Sequence, residues 1–427
     1  MENNGEVMAL KPLTQEERKD WVSLAFVQAG ICVCVPAFLL GALLAEEMAL
    51  WPAIISGSIG YLLVVVGMII TGMQGCDLGI ASCSQCEVGF GKQGARFIVS
   101  IIFAINMIGW FGIQNRVCGE AFSNAVESMT GFKIPVLISS TIWGFIMLLT
   151  AVYGVHALEL LDKISIPLLM IIMFYGTYLA IKTYGADGLL SQSKHTMSFI
   201  QGIALSFNFT AVGTITAADY TRFQKSRKDT IKSVFYGVFP MGVITLVLGI
   251  LLTKISDQYD VGMVLITVGL PLLGIISLVI STWTTNSTNA YSAGLNIVMA
   301  LKLKDNRRRE ATLFAGIVGI ILCDIGILNH IEEVLSLLSY VVCPVGGVIS
   351  ADYWIIGKGR KELFTPKEGV NWAGVIAWLA GAALAYLIGV EFAGIIIGAI
   401  AYLIFERFIP SPTRIAIEKI NETNKPV

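Results

Sequence analysis

AGICVCVPAF, residues 29–38, lies in the middle of the first long apolar run of the chain. Pro36 has no N–H to offer the carbonyl four residues back, and Gly30 and Val33 stand within the two turns before it. A continuous helix is expected to break here. SFNFTAVGTITAAD (206–219) repeats the situation five apolar runs later, with Gly213 among Thr and Asn side chains near the centre of its run. Gly and Pro are common in membrane helices, so either interruption alone says little. Their matched positions, in the first and sixth runs, predict two halves built alike. Transporters bind substrate near the bilayer midplane at such paired breaks, where backbone groups are freed.

The solvent around these runs follows from composition. The 427 residues are 55% hydrophobic and only 14% charged, against about 25% charged in soluble domains. Runs of about 20 apolar residues, the length that crosses a bilayer, recur throughout. They predict an all-α integral membrane protein with twelve spans, near 21–45, 48–73, 95–118, 134–153, 157–181, 197–217, 231–253, 265–300, 311–328, 333–356, 370–388 and 391–409. Residues 1–20 and 410–427 are expected as polar tails, and the first tail lacks the apolar core of a signal peptide. Five Lys or Arg fall in 222–232, five in 302–310 and four in 358–367, whereas the loops after spans one, nine and eleven hold none. The positive-inside rule then puts both termini in the cytoplasm, in a plasma (inner) membrane. Trp21, Trp51 and Trp372 fall near span ends, as an aromatic belt requires.

The basic residues form short clusters between apolar runs, which excludes a nucleic-acid binder. Of eight cysteines, five lie inside apolar runs and read as small hydrophobes. The group at Cys76, Cys83 and Cys86 lacks a second pair at zinc spacing. No nucleophile–base pair stands at depth, so an enzyme is not expected, and no repeated pore motif suggests a channel.

Polar side chains concentrate instead in STWTTNSTNAYSAG (281–294), which carries no charge. At 100° per residue, Ser281, Thr284, Thr285 and Thr288 share one face, and Thr282, Asn286, Asn289 and Ala293 an adjacent one. Hydroxyl oxygens and freed carbonyls suit a small hard cation, and carboxamides suit a ligand of mixed donors and acceptors. Ser and Thr also mediate helix packing, but that does not account for the two Asn. In span three, INMIGWFGIQNR (105–116) places Trp110 mid-span between Gly109 and Gly112, either as packing or as a platform beside a cavity. Membrane proton relays use Asp, Glu or His. Asp219, Asp352, Glu120 and Asp324 are placed at or beyond span ends, and His156, His195 and His330 in loops or at span ends. With no titratable group expected at mid-depth, sodium is the expected coupling ion. Arg116 and Glu120, one turn apart, are expected to pair.

GWFG (109–112), GTITAADYTRF (213–223), WTTN (283–286), CPVGGVISADYW (343–354) and VNWAG (370–374) occur in order. Together they resemble the nucleobase:cation symporter family, in its cytosine-permease branch, over the whole chain. The resemblance implies a LeuT-type fold: a 5+5 inverted repeat (about 21–181 and 197–356), discontinuous helices one and six, and two peripheral helices (about 370–409). It implies uptake of a nucleobase by sodium symport and alternating access, with sodium as the only cofactor. Position by position, Trp110 and Phe209 correspond to the aromatic pair around the base and Asn286 to the residue that bonds its edge. Carbonyls of Gly30, Val33 and Ser281 and hydroxyls of Thr284 and Thr285 correspond to the sodium site. The pattern departs at Ser287, Thr288 and Asn289, where relatives carry Asp and Asn after the motif's Asn, and at Met107, where a Gln is expected. Asn208 and Gln28, polar groups near the two breaks, are candidates to compensate. The substrate is therefore expected to be cytosine, a related purine or pyrimidine, or a thiamine-precursor pyrimidine. The alternative expectation is a permease of the same fold for another small solute, a hydantoin-like ring or an amino acid, with proton coupling. No organic cofactor or obligate protein partner is implied beyond membrane lipid.

Overall fold

The computed structural model describes residues 10–190, 194, 196–257, 261–325 and 331–423. His195, His330 and the outer ends of both tails lie outside them. Among the described residues the chain is helical, and its only bridge pairs Lys19 with Gln224. Six helices are long and apolar enough to cross a membrane unaided: Leu50–Leu78, Glu87–Thr130, Val136–Tyr153, Val155–Tyr184, Arg227–Ser256 and Ser336–Ile356. Two helix pairs pass the same test together but are bent, Trp21–Cys32 with Val35–Glu47 by 52° and Phe199–Thr210 with Gly213–Thr221 by 45°. These are spans one and six, where breaks are expected. Trp372–Ile388 and Ala393–Phe405 are apolar but shorter. Arg308–Asp324 and the polar Pro271–Ala300 complete the predicted positions.

The two breaks differ in kind. In span one, Val33 (φ −88, ψ 74) and Cys34 (φ −146, ψ 160) leave helical geometry outright. Pro36 is not the interrupter that its position suggests. It occupies the first turn of the second half-helix, where a missing N–H costs nothing. In span six the chain stays right-handed through Ala211 and Val212. Thr214 N–H donates to the Ala211 carbonyl and Ile215 N–H to that of Val212, so one tightened turn makes the bend.

Span eight also departs from expectation. Its predicted start at 265 falls within a separate helix, Val261–Thr267, and the long helix begins only at Pro271. Gly269 supplies the turn at φ 87, a region that glycine enters without strain, and Pro271 opens the helix.

Neither tail is merely a solvated extension. Residues 13–20 form a strap across the ends of spans two, five and six. Leu13 N–H donates to the Gly79 carbonyl (2.9 Å) and Lys19 N–H to that of Phe223 (2.6 Å). The Arg18 guanidinium donates to the carbonyls of Cys76 (2.6 Å) and Gln224 (2.7 Å), and Lys19 pairs with Glu159. Asp20 then caps span one through the N–H groups of Val22 and Ser23. At the other end, Pro412–Thr423 is a helix. Thr413 donates to buried Asp352 (2.6 Å), and Arg414 pairs with Glu406. Exposed Trp51 and Trp372 fit the predicted belt.

If Val33 and Cys34 carry the break, Pro36→Ala costs less than about 1 kcal/mol, chiefly through unfolded-chain entropy. Thermal unfolding in detergent checks this: a drop in Tm of many degrees would return the break to the proline.

Candidate functional site

The breaks of spans one and six face each other across a cavity of about 60 Å³, lined at the sides by spans two, three, seven and eight. A water needs about 10–15 Å³ of such space, so the cavity has room for several water-sized groups side by side. Trp110 and Phe209 stand on its wall with centroids 6.3 Å apart and planes at 61°. They stand edge to face rather than forming a parallel slot. Met107 and Met68 extend the apolar wall.

The polar groups of the cavity await partners. One amide atom of Gln114, one of Asn289, and the hydroxyls of Thr210 and Tyr61 are buried without a hydrogen bond. Each such group costs about 1–3 kcal/mol if nothing satisfies it, so four of them around one cavity point to a ligand with several donors and acceptors. On one side Tyr220 donates to the Thr288 carbonyl (3.1 Å) and contacts Ser292 Oγ (3.0 Å), tying span six to span eight.

Beside this chamber lies a cage of oxygens. Thr285 Oγ1 is 2.6 Å from the Gly30 carbonyl and 3.3 Å from that of Ser281. Thr284 Oγ1 is 3.4 Å from the first and 3.1 Å from the second. Four of the five predicted cation donors thus converge from two spans. The fifth, Val33, is the residue at which span one turns out of its helix. Hydroxyl and carbonyl oxygens are the donor set of a hard cation, so the residues fit sodium.

The predicted ligand residues divide. Trp110, Phe209, Met107 and Asn289 line the chamber. Asn286 does not: its amide donates to the Phe111 carbonyl (3.2 Å) on the back of span three. Ser287 donates to the Met147 carbonyl of span four (3.0 Å). Gln28 bonds the Leu24 carbonyl and Ser233, bracing span one to span seven. Asn208 precedes Phe209 but is not on the cavity wall. The reason is angular. Counting i, i+3, i+4 from Thr285 reaches Thr288 and Asn289, so one face of span eight serves cage and chamber, and Asn286 is turned by about 100°. Sequence reasoning passed over Gln114, although it follows Trp110 by one turn.

The expected absence of buried carboxylates at depth also fails. Asp162 lies two turns inside span five and is fully buried, with neither oxygen hydrogen-bonded. Arg116 and Glu120 do pair, at 2.5 Å.

Comparison with known proteins places this geometry. Residues 12–405 match the family model described as a permease for cytosine/purines, uracil, thiamine, allantoin. The chain belongs to this family. The permease is 26% identical to the cytosine permease of Escherichia coli (strain K12) over 416 residues, 96% of each chain. It is 24% identical to the allantoin permease of Bacillus subtilis (strain 168), covering 96% of this chain and 95% of that one. Its fold is shared with Mhp1, a nucleobase-cation-symport-1 family transporter solved in a closed conformation with bromovinylhydantoin bound (TM-score 0.83, 19% identity, 94% and 95% covered). A Na+-coupled sialic acid symporter is similar at TM-score 0.60 and 14% identity, with 94% and 92% covered. The permease is thus an all-helical, multi-pass membrane transporter of the LeuT type, in the cytosine-permease branch, and not an enzyme.

The two asparagines of span eight separate in stability. Asn286→Ala loses the bond from span eight to the Phe111 carbonyl, which keeps its own helical partner, and costs about 0.5–1.5 kcal/mol; Asn289→Ala removes an amide that is already short of a partner and costs less. Thermal unfolding of the two ligand-free variants reads the difference, and equal losses would contradict the placement.

Proposed function

We propose that this permease imports cytosine or a closely related nucleobase by sodium symport with alternating access, both termini facing the cytoplasm of a plasma membrane. The observation that carries the reading is the sharing of residues between cage and chamber. Thr285 belongs to both, and the segment 30–34 supplies cage oxygen at Gly30 and chamber wall at Cys32 and Cys34. A cation drawing Gly30 and Ser281 oxygens together fixes span one against span eight, and that fixes the chamber wall. Cation and ring therefore stabilise one arrangement, and each raises the affinity of the other by the same factor.

Within the chamber the base lies on Trp110 with the Phe209 edge against it, since stacking needs only a π-face. Gln114 and Asn289 offer both amide donors and amide acceptors to its edge. A ring whose pattern leaves them unpaired is rejected, because buried polar groups then go unsatisfied. Once both sites are filled, the halves of spans one and six close on one side and open on the other. In the described structure, the strap at residues 13–20 ties down the start of span one.

Two experiments test this. Uptake of radiolabelled cytosine, uracil and hypoxanthine into proteoliposomes should require a sodium gradient and vanish in choline; uptake driven by a proton gradient alone would remove the sodium claim. Trp110→Ala should weaken binding of the transported base by about 1–3 kcal/mol, roughly 5- to 150-fold, with Trp110→Phe retaining most of it. Unchanged affinity would mean that no flat ring is stacked there.

A further inference from the structure

Asp162 is a fully buried carboxylate for which neither the cage nor the chamber accounts. Its carboxylate packs on Gly30: a Cβ built there would stand 2.5 Å from Oδ1 and 2.9 Å from Cγ. The bare Cα of Gly30 is what admits it. The carbonyl of the same Gly30 accepts from Thr285 at 2.6 Å, so carboxylate and cage meet on one residue. The cations nearest in sequence are committed elsewhere, because Lys163 donates to Glu159 at 2.7 Å and Lys19 pairs with Glu159 as well. Among the described residues nothing hydrogen-bonds either Asp162 oxygen.

Two charges then stand in complementary positions. The cage supplies only neutral oxygens, so a bound cation would keep its full charge in a dry interior. An ionised Asp162 would do the same, and a lone buried charge costs several kcal/mol. We propose that Asp162 is the counter-charge of the cation site, a charged ligand supplied by span five that sets how tightly sodium binds. The inference rests on the sodium reading above. It makes span five, together with spans one and eight, a third wall of the cation site, and gives the absent side chain of Gly30 a definite purpose.

The test measures sodium on the purified full-length permease without any base, by ²²Na⁺ scintillation proximity and by thermal unfolding across NaCl with choline chloride holding ionic strength. At an effective dielectric near 20, opposite charges about 4–8 Å apart attract strongly enough to shift affinity about 30- to 1,000-fold before desolvation reduces it. Asp162→Asn and Asp162→Ser should each raise half-saturating sodium by at least about tenfold, and Asp162→Glu should stay within a few-fold of wild type. In choline the Asn variant should unfold no lower than wild type, since it loses an unpaired charge rather than a bond. A neutral variant that folds and keeps wild-type half-saturation overturns the inference. If neither neutral variant folds, the carboxylate is a structural acceptor and the inference fails equally. Thr285→Ala serves as the cage control. A wild type indifferent to sodium sinks the underlying sodium reading, whereas a sodium response lost in Thr285→Ala but intact in Asp162→Asn sinks only the role of Asp162.

Discussion

Thr285 Oγ1 on the carbonyl of Gly30 is the contact on which the rest of the site turns. A membrane supplies no water to satisfy backbone groups freed by a broken helix, so span one can open at Val33 and Cys34 only if another helix supplies partners. Span eight does so with the hydroxyls of Thr284 and Thr285. The need for partners explains why polar side chains crowd into one stretch of an otherwise apolar chain. Thr288, Asn289 and Tyr220 continue the same polar seam past the chamber. The break is therefore a designed vacancy in the hydrogen-bond ladder, held open by a neighbour.

Much of this is legible in the residues. Apolar length alone marks the spans, and the paired Gly and Pro positions mark spans one and six as broken. The hydroxyl face of span eight is readable because Ser281, Thr284 and Thr285 follow helical spacing. What escapes has identifiable physical reasons. Asn286 and Asn289 differ by only about 60° around the helix, so assigning each to a neighbour requires the neighbour's position. Pro36 looks like a breaker until its half-helix is seen to begin one residue before it. The turn at Gly269 is hidden because both flanks are equally apolar.

Asp162 is a different kind of miss, because a helical count would have caught it. Along span five, Asp162, Ser165, Leu169, Ile172 and Gly176 are buried, while Ile164, Ile171, Phe174 and Tyr178 are exposed. The helix turns its apolar side outward to lipid and its two buried acids inward, Glu159 paired with lysines and Asp162 without a partner, the reverse of a soluble protein. An acid on the inward stripe of a membrane helix is costly, and judging depth by distance from the span end alone overlooks which stripe it occupies.

The strap of residues 13–20 has a kinetic consequence. Swinging the start of span one outward must break the Lys19–Glu159 pair and the two Arg18 carbonyl bonds together, since all three hold a few neighbouring residues. These contacts are polar and partly hydrated, so opening exchanges them for water rather than exposing an apolar surface. These are direct contacts, well inside the screening length of about 8 Å at physiological salt, so mobile ions weaken them little. Under the proposed alternating access, the height of the opening barrier is therefore set by short-range contacts that ionic strength changes little.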